Sequence, residues 1–176
     1  MLSLSVPDNN MSKKVHGNKK RRKRTFLHNL PEYIMYVLGS IIMAFFGILF
    51  LIAYVVYGFL STLWYMRFVC TYCPHFDKIK CPSGYSIIAG KLFKKRDASK
   101  FEIMFKRHMG SVILSWFAPV IAGIYILINK VSIVMIILLV VFILDAFIIL
   151  PWVSRKYGCN YCDLSDRCPW MGRYGK

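Results

Sequence analysis

Charged residues are absent from one long stretch of this chain and nearly absent from a second. Residues 33–66 contain no Lys, Arg, Asp or Glu, and residues 111–153 contain only Lys130 and Asp145. Acidic residues are scarce throughout, with 8 Asp and Glu against 24 Lys and Arg and a formal net charge of +16. The sequence also lacks a Gly-rich phosphate loop, a Ser/His/Asp set, paired carboxylates and an HExxH sequence. Hydrolases and nucleotide-driven enzymes therefore have no support.

The two uncharged stretches account for an unusually apolar composition. Hydrophobic residues make up 57% of the 176 residues, whereas about 45–50% is usual for a soluble domain. The basic residues lie between and outside the two tracts, as they do in cytoplasmic loops of membrane proteins. The sequence predicts an all-α integral membrane protein whose partners are the lipid bilayer and anionic lipid headgroups, without nucleic acid.

Five segments follow from this pattern. We expect a disordered basic tail over residues 1–30, a first transmembrane region over 31–69, a cysteine loop with interfacial helices over 70–110, a transmembrane hairpin over 111–153 and a C-terminal cysteine cluster over 154–176. Asn29 and Pro31 are a plausible start for the first transmembrane helix. Ser99-x-x-Glu102 has the spacing of a capping box and predicts an amphipathic interfacial helix.

Each apolar tract ends in the same residue pattern: Trp, then Arg, then Cys-x-Tyr-Cys, then Cys-Pro. The first copy consists of Trp64, Arg67, Cys70, Tyr72, Cys73, Cys81 and Pro82, and the second of Trp152, Arg155, Cys159, Tyr161, Cys162, Cys168 and Pro169. This similarity indicates an internal repeat. If the second copy follows a hairpin, the first is expected to do so too.

The number of membrane crossings depends on the first tract. One helix over residues 33–66 would be about 50 Å long, against about 30 Å for the hydrocarbon core of a bilayer. Two crossings would be short, about 22 Å each, but would leave all but one of the 24 Lys and Arg residues on one side. Three crossings would place the basic tail on the opposite side. Moving each charge across the membrane would cost about 2.3 kcal/mol per 100 mV of membrane potential. We therefore predict four transmembrane passes as two hairpins. The alternative is three passes, with residues 31–69 as one long helix.

All six cysteines fall in the two clusters, which both topologies place on the same side as cysteine-knuckle loops. Two thiolates separated by two residues can bind one ion, and paired knuckles complete tetrahedral sites. Cysteine followed by proline also occurs in iron–sulfur motifs. We expect a cysteine-ligated zinc ion or iron–sulfur cluster at the cytoplasmic face. Its candidate ligands are Cys70, Cys73, Cys81, Cys159, Cys162 and Cys168, with His75 as a further candidate.

Two other functions remain open. Cys-x-x-Cys is also the spacing of a redox dithiol, and the chain resembles small four-helix quinone-linked disulfide oxidoreductases in size and helix count. Those proteins use cysteines on the non-cytoplasmic side, whereas the charges here predict cytoplasmic clusters. The second alternative is a non-enzymatic membrane subunit or assembly factor with structural cysteines. A soluble redox partner or a quinone is a candidate partner, and whether the protein is an enzyme is left open.

Asp145 is an acidic residue inside the last apolar tract. Carboxylates within the bilayer are costly and often functional, so Asp145 is the candidate catalytic residue, as a proton relay or a quinone-site group. The structural alternative is a hydrogen bond to Ser115 or a tyrosine at similar depth. The expected location is a multi-pass protein of the cell membrane, with both termini and both cysteine clusters cytoplasmic.

Overall fold

A computed structural model describes residues 9–77 and 81–158, which form helices and the turns between them. The α-helices are α1 (Asn9–Phe46), α2 (Ile48–Phe68), α3 (Tyr85–Leu92), α4 (Phe101–Asn129), α5 (Ile133–Leu144) and α6 (Leu150–Val153). Short 3-10 helices span Cys70–Tyr72 and Ala98–Lys100, and π-helical turns span Asp145–Ile149 and Ser154–Gly158. The described part of the chain is therefore all-α.

Four helical stretches are long and apolar enough to cross a membrane. They are Arg22–Phe46, Ile48–Tyr72, Ala98–Asn129 and Ile133–Gly158. Their outward surfaces stay apolar, as at Leu49 and Ile128, which are each 77% exposed. The prediction of an all-helical chain with four membrane-length helices is confirmed. The alternative of one helix over residues 31–69 is wrong, because the chain turns at Gly47.

Gly47 alone connects α1 to α2. Its φ of 149° and ψ of 152° belong to a backbone region that is essentially restricted to glycine. The Gly47 amide donates to the Met43 carbonyl at 3.0 Å, and the Gly47 carbonyl accepts from the Leu51 amide at 3.1 Å. The helical hydrogen bonds on both sides therefore extend to the turn residue.

Helices α1 and α2 contact each other at pairs of residues that lie at similar numbers of positions before and after Gly47. A Cβ atom at Gly58 would lie 2.8 Å from the ring of Tyr36, and one at Gly39 would overlap the ring of Tyr54. The two glycines let each helix accept a tyrosine from the other at close range, as small residues do between membrane helices. The pairing of positions 39 with 54 and 36 with 58 shows that the two helices are antiparallel.

The remaining membrane-length helices join this pair. The Tyr57 hydroxyl of α2 donates to the Ser111 carbonyl of α4 at 2.6 Å. On α4, a Cβ atom at Gly123 would lie 2.9 Å from Leu139 of α5 and 3.6 Å from Ile42 of α1. Helices α2 and α5 each contact both α1 and α4. A buried cluster lies between α1, α4 and the helix of α5 with its π-helical continuation, and contains Met35, Ile42, Trp116, Met135, Leu139, Phe142 and Ala146.

The turn after α4 lies at the same end of the helices as Gly47. Helix α4 ends at Asn129 and α5 begins at Ile133, close to the turn that Asn129-Lys130 predicts. Cys70, Cys73 and Cys81 lie at the opposite end, together with the start of α4 and the end of the helix that continues α5. We call this the cysteine end.

Helix α1 begins far earlier than the predicted start. It runs from Asn9 through Pro31, so residues 9–30, expected to be disordered, are helical, and the predicted start at Asn29 and Pro31 is wrong. Lys and Arg have good helix propensity, and adding a turn to an existing helix is cheap compared with starting one. The helix that forms in the apolar tract therefore extends toward the N-terminus through the basic run, and α1 is continuous from Asn9 to Phe46.

The predicted interfacial helix after Ser99 is the first part of α4. Asp97, not Ser99, caps the start, since its Oδ1 accepts from the Ser99 amide at 3.0 Å. Glu102 instead pairs with Lys106, Nζ to Oε1 at 2.6 Å. The capping box is therefore wrong, and the apolar face of this segment continues into the bundle. A separate short helix, α3, precedes this segment within the loop over residues 70–110.

Candidate functional site

A cavity of about 270 Å³ lies between the helices at the cysteine end. Each membrane-length helix contributes side chains to its wall, and the segment from Cys81 to Ser86 closes one side. The part farthest from the cysteines is apolar and includes Met35, Trp116 and Leu150. The three cysteines of the first cluster all line the cavity. It is therefore the place where the described thiols meet the interior of the bundle.

Cys70 and Cys73 are held by a 3-10 turn at the end of α2. The Cys73 amide donates to the Cys70 carbonyl at 3.1 Å, which directs both side chains toward the cavity they line. Thr71 fixes this turn from both sides: its hydroxyl donates to the Arg67 carbonyl at 2.6 Å, and its own carbonyl accepts from the Arg96 amide at 2.8 Å. Cys70 is buried and Cys73 is half-buried.

Cys81 is brought to the cavity by contacts between its loop and α1. The Asn29 side chain donates to the Ser83 carbonyl at 2.9 Å, and the Cys81 sulfur lies 3.4 Å from the Ser83 hydroxyl. Both Cys73 and Cys81 lie within electrostatic range of Cys70. The first cluster is thus gathered around one cavity, although its members are separated by up to eleven positions in sequence.

A carboxylate and a phenol form a polar pair in the cavity wall. The Tyr85 hydroxyl donates to Glu32 Oε1 at 2.9 Å. Burial and the neighbouring Glu32 carboxylate raise the pKa of the Tyr85 phenol, so that this residue remains a hydrogen-bond donor. Neither residue is among the candidates predicted from the sequence. The available signal was Glu32 itself, an acidic residue at the edge of an uncharged tract in a chain with few acidic residues.

The second cysteine cluster lies outside the described residues, so the expected ligands Cys159, Cys162 and Cys168 have no described position. Gly158, the last described residue before them, lines the cavity and contacts His28, whose Nε2 would overlap a Cβ atom at Gly158. The sequence continues directly from this residue to Cys159. The last described residue before the second cluster is therefore at the cavity.

No metal site is formed by the first cluster alone. Across residues 9–77 and 81–158, no group of three or more His, Cys, Asp and Glu side chains is arranged to hold a metal ion. His75 is 8% exposed and is not among the described residues that line the cavity.

Asp145 is buried, as expected for a carboxylate inside an apolar tract. It is 3% exposed, and its Oδ2 has no hydrogen-bond partner within the described residues. The expected bond to Ser115 is not formed, because the Ser115 hydroxyl donates to the Val112 carbonyl at 2.6 Å. Asp145 opens a π-helical turn whose next helical residue, Leu150, lines the cavity. The Asp145 carboxylate is thus one helical turn farther from the cysteine end than the cavity-lining residue Leu150. π-Helical turns frequently occur at functional sites.

Aromatic and basic side chains surround the outside of the cysteine end. The Trp64 indole donates to His108 Nδ1 at 3.1 Å, and the His108 ring stacks on Phe68. In the second copy of the sequence pattern, the Lys156 ammonium lies 4.8 Å from the Trp152 ring centroid. Trp, His and basic residues of this kind are typical of a membrane–water interface. His108 lies on this outer surface and is not among the described residues that line the cavity.

No family model, characterised protein or solved structure matches this chain. The fold and the site together define a helical protein with four membrane-length helices and a thiol-lined cavity at one end. Its function has to be argued from these residues.

Proposed function

We propose that the protein crosses the membrane four times as two hairpins and that its two cysteine clusters jointly hold a metal or iron–sulfur centre at the cytoplasmic face. The observation that carries this proposal is the shared cavity. Cys70, Cys73 and Cys81 line it, and so does Gly158, the residue directly before the second cluster. Three thiols from one segment do not complete a tetrahedral site, whereas ligands from two segments can.

Topology and charge support the cytoplasmic location. With turns at Gly47 and near Lys130 on one side, Lys130 is the one basic residue on that side among residues 9–77 and 81–158. The remaining basic residues would then face the cytoplasm, in agreement with the positive-inside rule. A thiolate centre in that position is available to a soluble electron donor and is close to the membrane interior, which suits electron transfer between the two.

The proposal is tested by elemental analysis of purified protein for zinc, iron and acid-labile sulfide, with visible and EPR spectra before and after reduction. We expect a stoichiometric metal that is lost in both Cys70→Ser and Cys159→Ser. Ser83→Ala, which changes a non-ligand in the same wall, is the control and should retain the metal. Metal loss in Cys70→Ser alone would contradict a joint site.

The same assay separates two possible ligand sets. If all six cysteines take part, Cys81→Ser and Cys168→Ser reduce the metal content as strongly as Cys70→Ser. If four cysteines form one site, these two variants retain the metal, because the ligands are then Cys70, Cys73, Cys159 and Cys162. Either result supports a centre shared by the two clusters.

A second candidate function is thiol–disulfide exchange coupled to a quinone. It is favoured by one observation: Cys70 and Cys73, at the spacing of a redox dithiol, both line the wall of a largely apolar cavity. Oxidation of two thiols to a disulfide releases two electrons and two protons, and reduction of a quinone to a quinol consumes both. A colourless, metal-free protein with six titratable thiols would support this function and exclude the first.

A further inference from the structure

Two arginine side chains meet at one aromatic ring on the outer surface of the cysteine end. The Arg67 Cζ atom lies 5.7 Å from the centroid of the Phe68 ring, and the Arg96 Cζ atom lies 6.0 Å from the same centroid. Arg67 belongs to the last turn of α2, whereas Arg96 lies in the loop between α3 and α4. The fold therefore brings together two cations that are 29 positions apart in the sequence.

Hydrogen bonds and aromatic rings hold both guanidinium groups in place. Arg96 Nη1 donates to the Tyr72 hydroxyl at 3.0 Å, and the Arg96 amide donates to the Thr71 carbonyl at 2.8 Å. The Arg67 Cζ atom also lies 5.9 Å from the centroid of the Phe93 ring. Contact with a ring attracts a cation without neutralising its charge. The two side chains are thus positioned while their charges stay available.

The charges of this arginine pair are not balanced by carboxylates. Within residues 9–77 and 81–158, neither arginine forms a salt bridge. The acidic residue nearest to Arg96 in the sequence is Asp97, and its carboxylate accepts from the Ser99 amide at 3.0 Å and the Ser99 hydroxyl at 2.7 Å. Lys94 and Lys95 add two exposed cations in the same loop. A group of like charges of this kind attracts an anion from outside the chain.

The surface next to the pair is apolar and belongs to a membrane-length helix. Val56, Leu60 and Trp64 are all exposed, and their four-residue spacing places them on one face of α2. Arg67 continues this face one turn after Trp64. Exposed tryptophan is typical of the membrane–water interface, so Arg67 lies at the level of lipid headgroups. We call Val56, Leu60 and Trp64 the α2 strip.

We propose that Arg67 and Arg96 bind the phosphate of an anionic phospholipid, with an acyl chain along the α2 strip. A guanidinium group suits a phosphate because two of its N–H groups can donate to two phosphate oxygens. A headgroup with a net negative charge is favoured over a zwitterionic one, since the lysines of the same loop repel an ammonium group. The site is independent of the metal centre, and it assigns a fixed lipid position rather than a general attraction to anionic membranes.

Binding is tested on the full-length protein with Trp64 as its only tryptophan, after replacement of Trp116, Trp152 and Trp170 by phenylalanine. The protein is reconstituted in vesicles of phosphatidylcholine with a small share of phosphatidylglycerol. In one preparation the phosphatidylglycerol has brominated acyl chains, which quench indole emission on contact. In the other, an equal share of the phosphatidylcholine is brominated instead, so that the surface charge is the same. We expect phosphatidylglycerol to quench Trp64 more strongly, because the arginine pair holds it beside the α2 strip.

Charge variants of the single-tryptophan protein test the site itself. Arg67→Gln and Arg96→Gln should each lower the preference for phosphatidylglycerol about fivefold, the effect of one basic residue near an anionic surface. Arg96→Lys keeps the charge but loses the paired N–H donors, and should lower the preference less. The control combines Lys91→Gln with Lys100→Gln, which removes two exposed charges outside the pair and should have a smaller effect than either arginine variant. Circular dichroism verifies that each variant retains its helices.

Three results would overturn the lipid site. Equal quenching by the two brominated lipids would show that Trp64 contacts lipid without selection. Equal losses in the arginine variants and the lysine control would show attraction by the general surface charge. Loss of the preference on addition of inorganic phosphate, at constant ionic strength, would assign the arginine pair to a soluble phosphate instead. None of these results depends on the metal content, so the proposed function is tested separately.

Discussion

Replacement of Gly47 by alanine tests how the first two membrane-length helices are connected. The Gly47 backbone, at φ 149° and ψ 152°, lies in a region that costs a non-glycine residue about 1–3 kcal/mol. Space is not the limiting factor, because a Cβ atom there would lie 3.5 Å from the ring of Phe50, an ordinary contact. We therefore expect Gly47→Ala to lower the free energy of unfolding by about 1–3 kcal/mol through backbone strain alone.

Gly110 provides the matched control. It lies inside α4, and a Cβ atom there would have no neighbour within 4 Å. Alanine at this position should raise the free energy of unfolding by about 0.5–1 kcal/mol, because glycine is unfavourable inside a helix. The assay is reversible unfolding in mixed micelles with increasing SDS, followed by circular dichroism. Equal effects of the two substitutions would show that Gly47 is an ordinary helical residue and would refute the turn.

Three other predictions follow from the same bundle. Gly39→Ala should lower the free energy of unfolding by about 1–3 kcal/mol through overpacking, and adding Tyr54→Phe, which removes the overlapping hydroxyl, should recover part of the loss in the same SDS assay. Asp145→Asn should not lower the free energy of unfolding, because Oδ2 has no described partner to lose. It should abolish quinone reduction if the carboxylate carries protons. Unchanged turnover would show that the Asp145 carboxylate has a structural role only. A membrane-impermeant maleimide should label Cys73 and a cysteine placed at Lys130 from opposite faces of sealed vesicles, and labelling from the same face would contradict four passes.

The helices and the burial of Asp145 could be predicted because both follow from single-residue properties. Uncharged tracts of this length favour membrane helices, and a carboxylate within such a tract avoids lipid by facing the bundle. The turn at Gly47 could not be predicted in the same way. An isolated glycine within an apolar tract has the same sequence signature whether it packs against a neighbour, as Gly58 does, or adopts a positive φ.

The cavity depends on contacts between residues far apart in sequence. Tyr85 meets Glu32 across 53 positions and Asn29 meets Ser83 across 54, and no local pattern predicts such pairs. The amphipathic face that begins at Phe101 was visible in the sequence. Its periodicity is the same whether the apolar side meets lipid or, as here, the interior of the bundle. The helix itself is confirmed, and its apolar residues Phe101, Phe105 and Met109 line the cavity.

Cross-linking between the two cysteine clusters tests most directly whether they meet at one site. A variant that retains only Cys73 and Cys159, with a protease site inserted after Lys130, is oxidised in metal-free membranes, cleaved and analysed by non-reducing electrophoresis. We expect the two fragments to remain joined until a reductant is added and to separate at once in a variant that retains Cys73 alone. Separation of the fragments in both variants would place the clusters apart and contradict a shared centre.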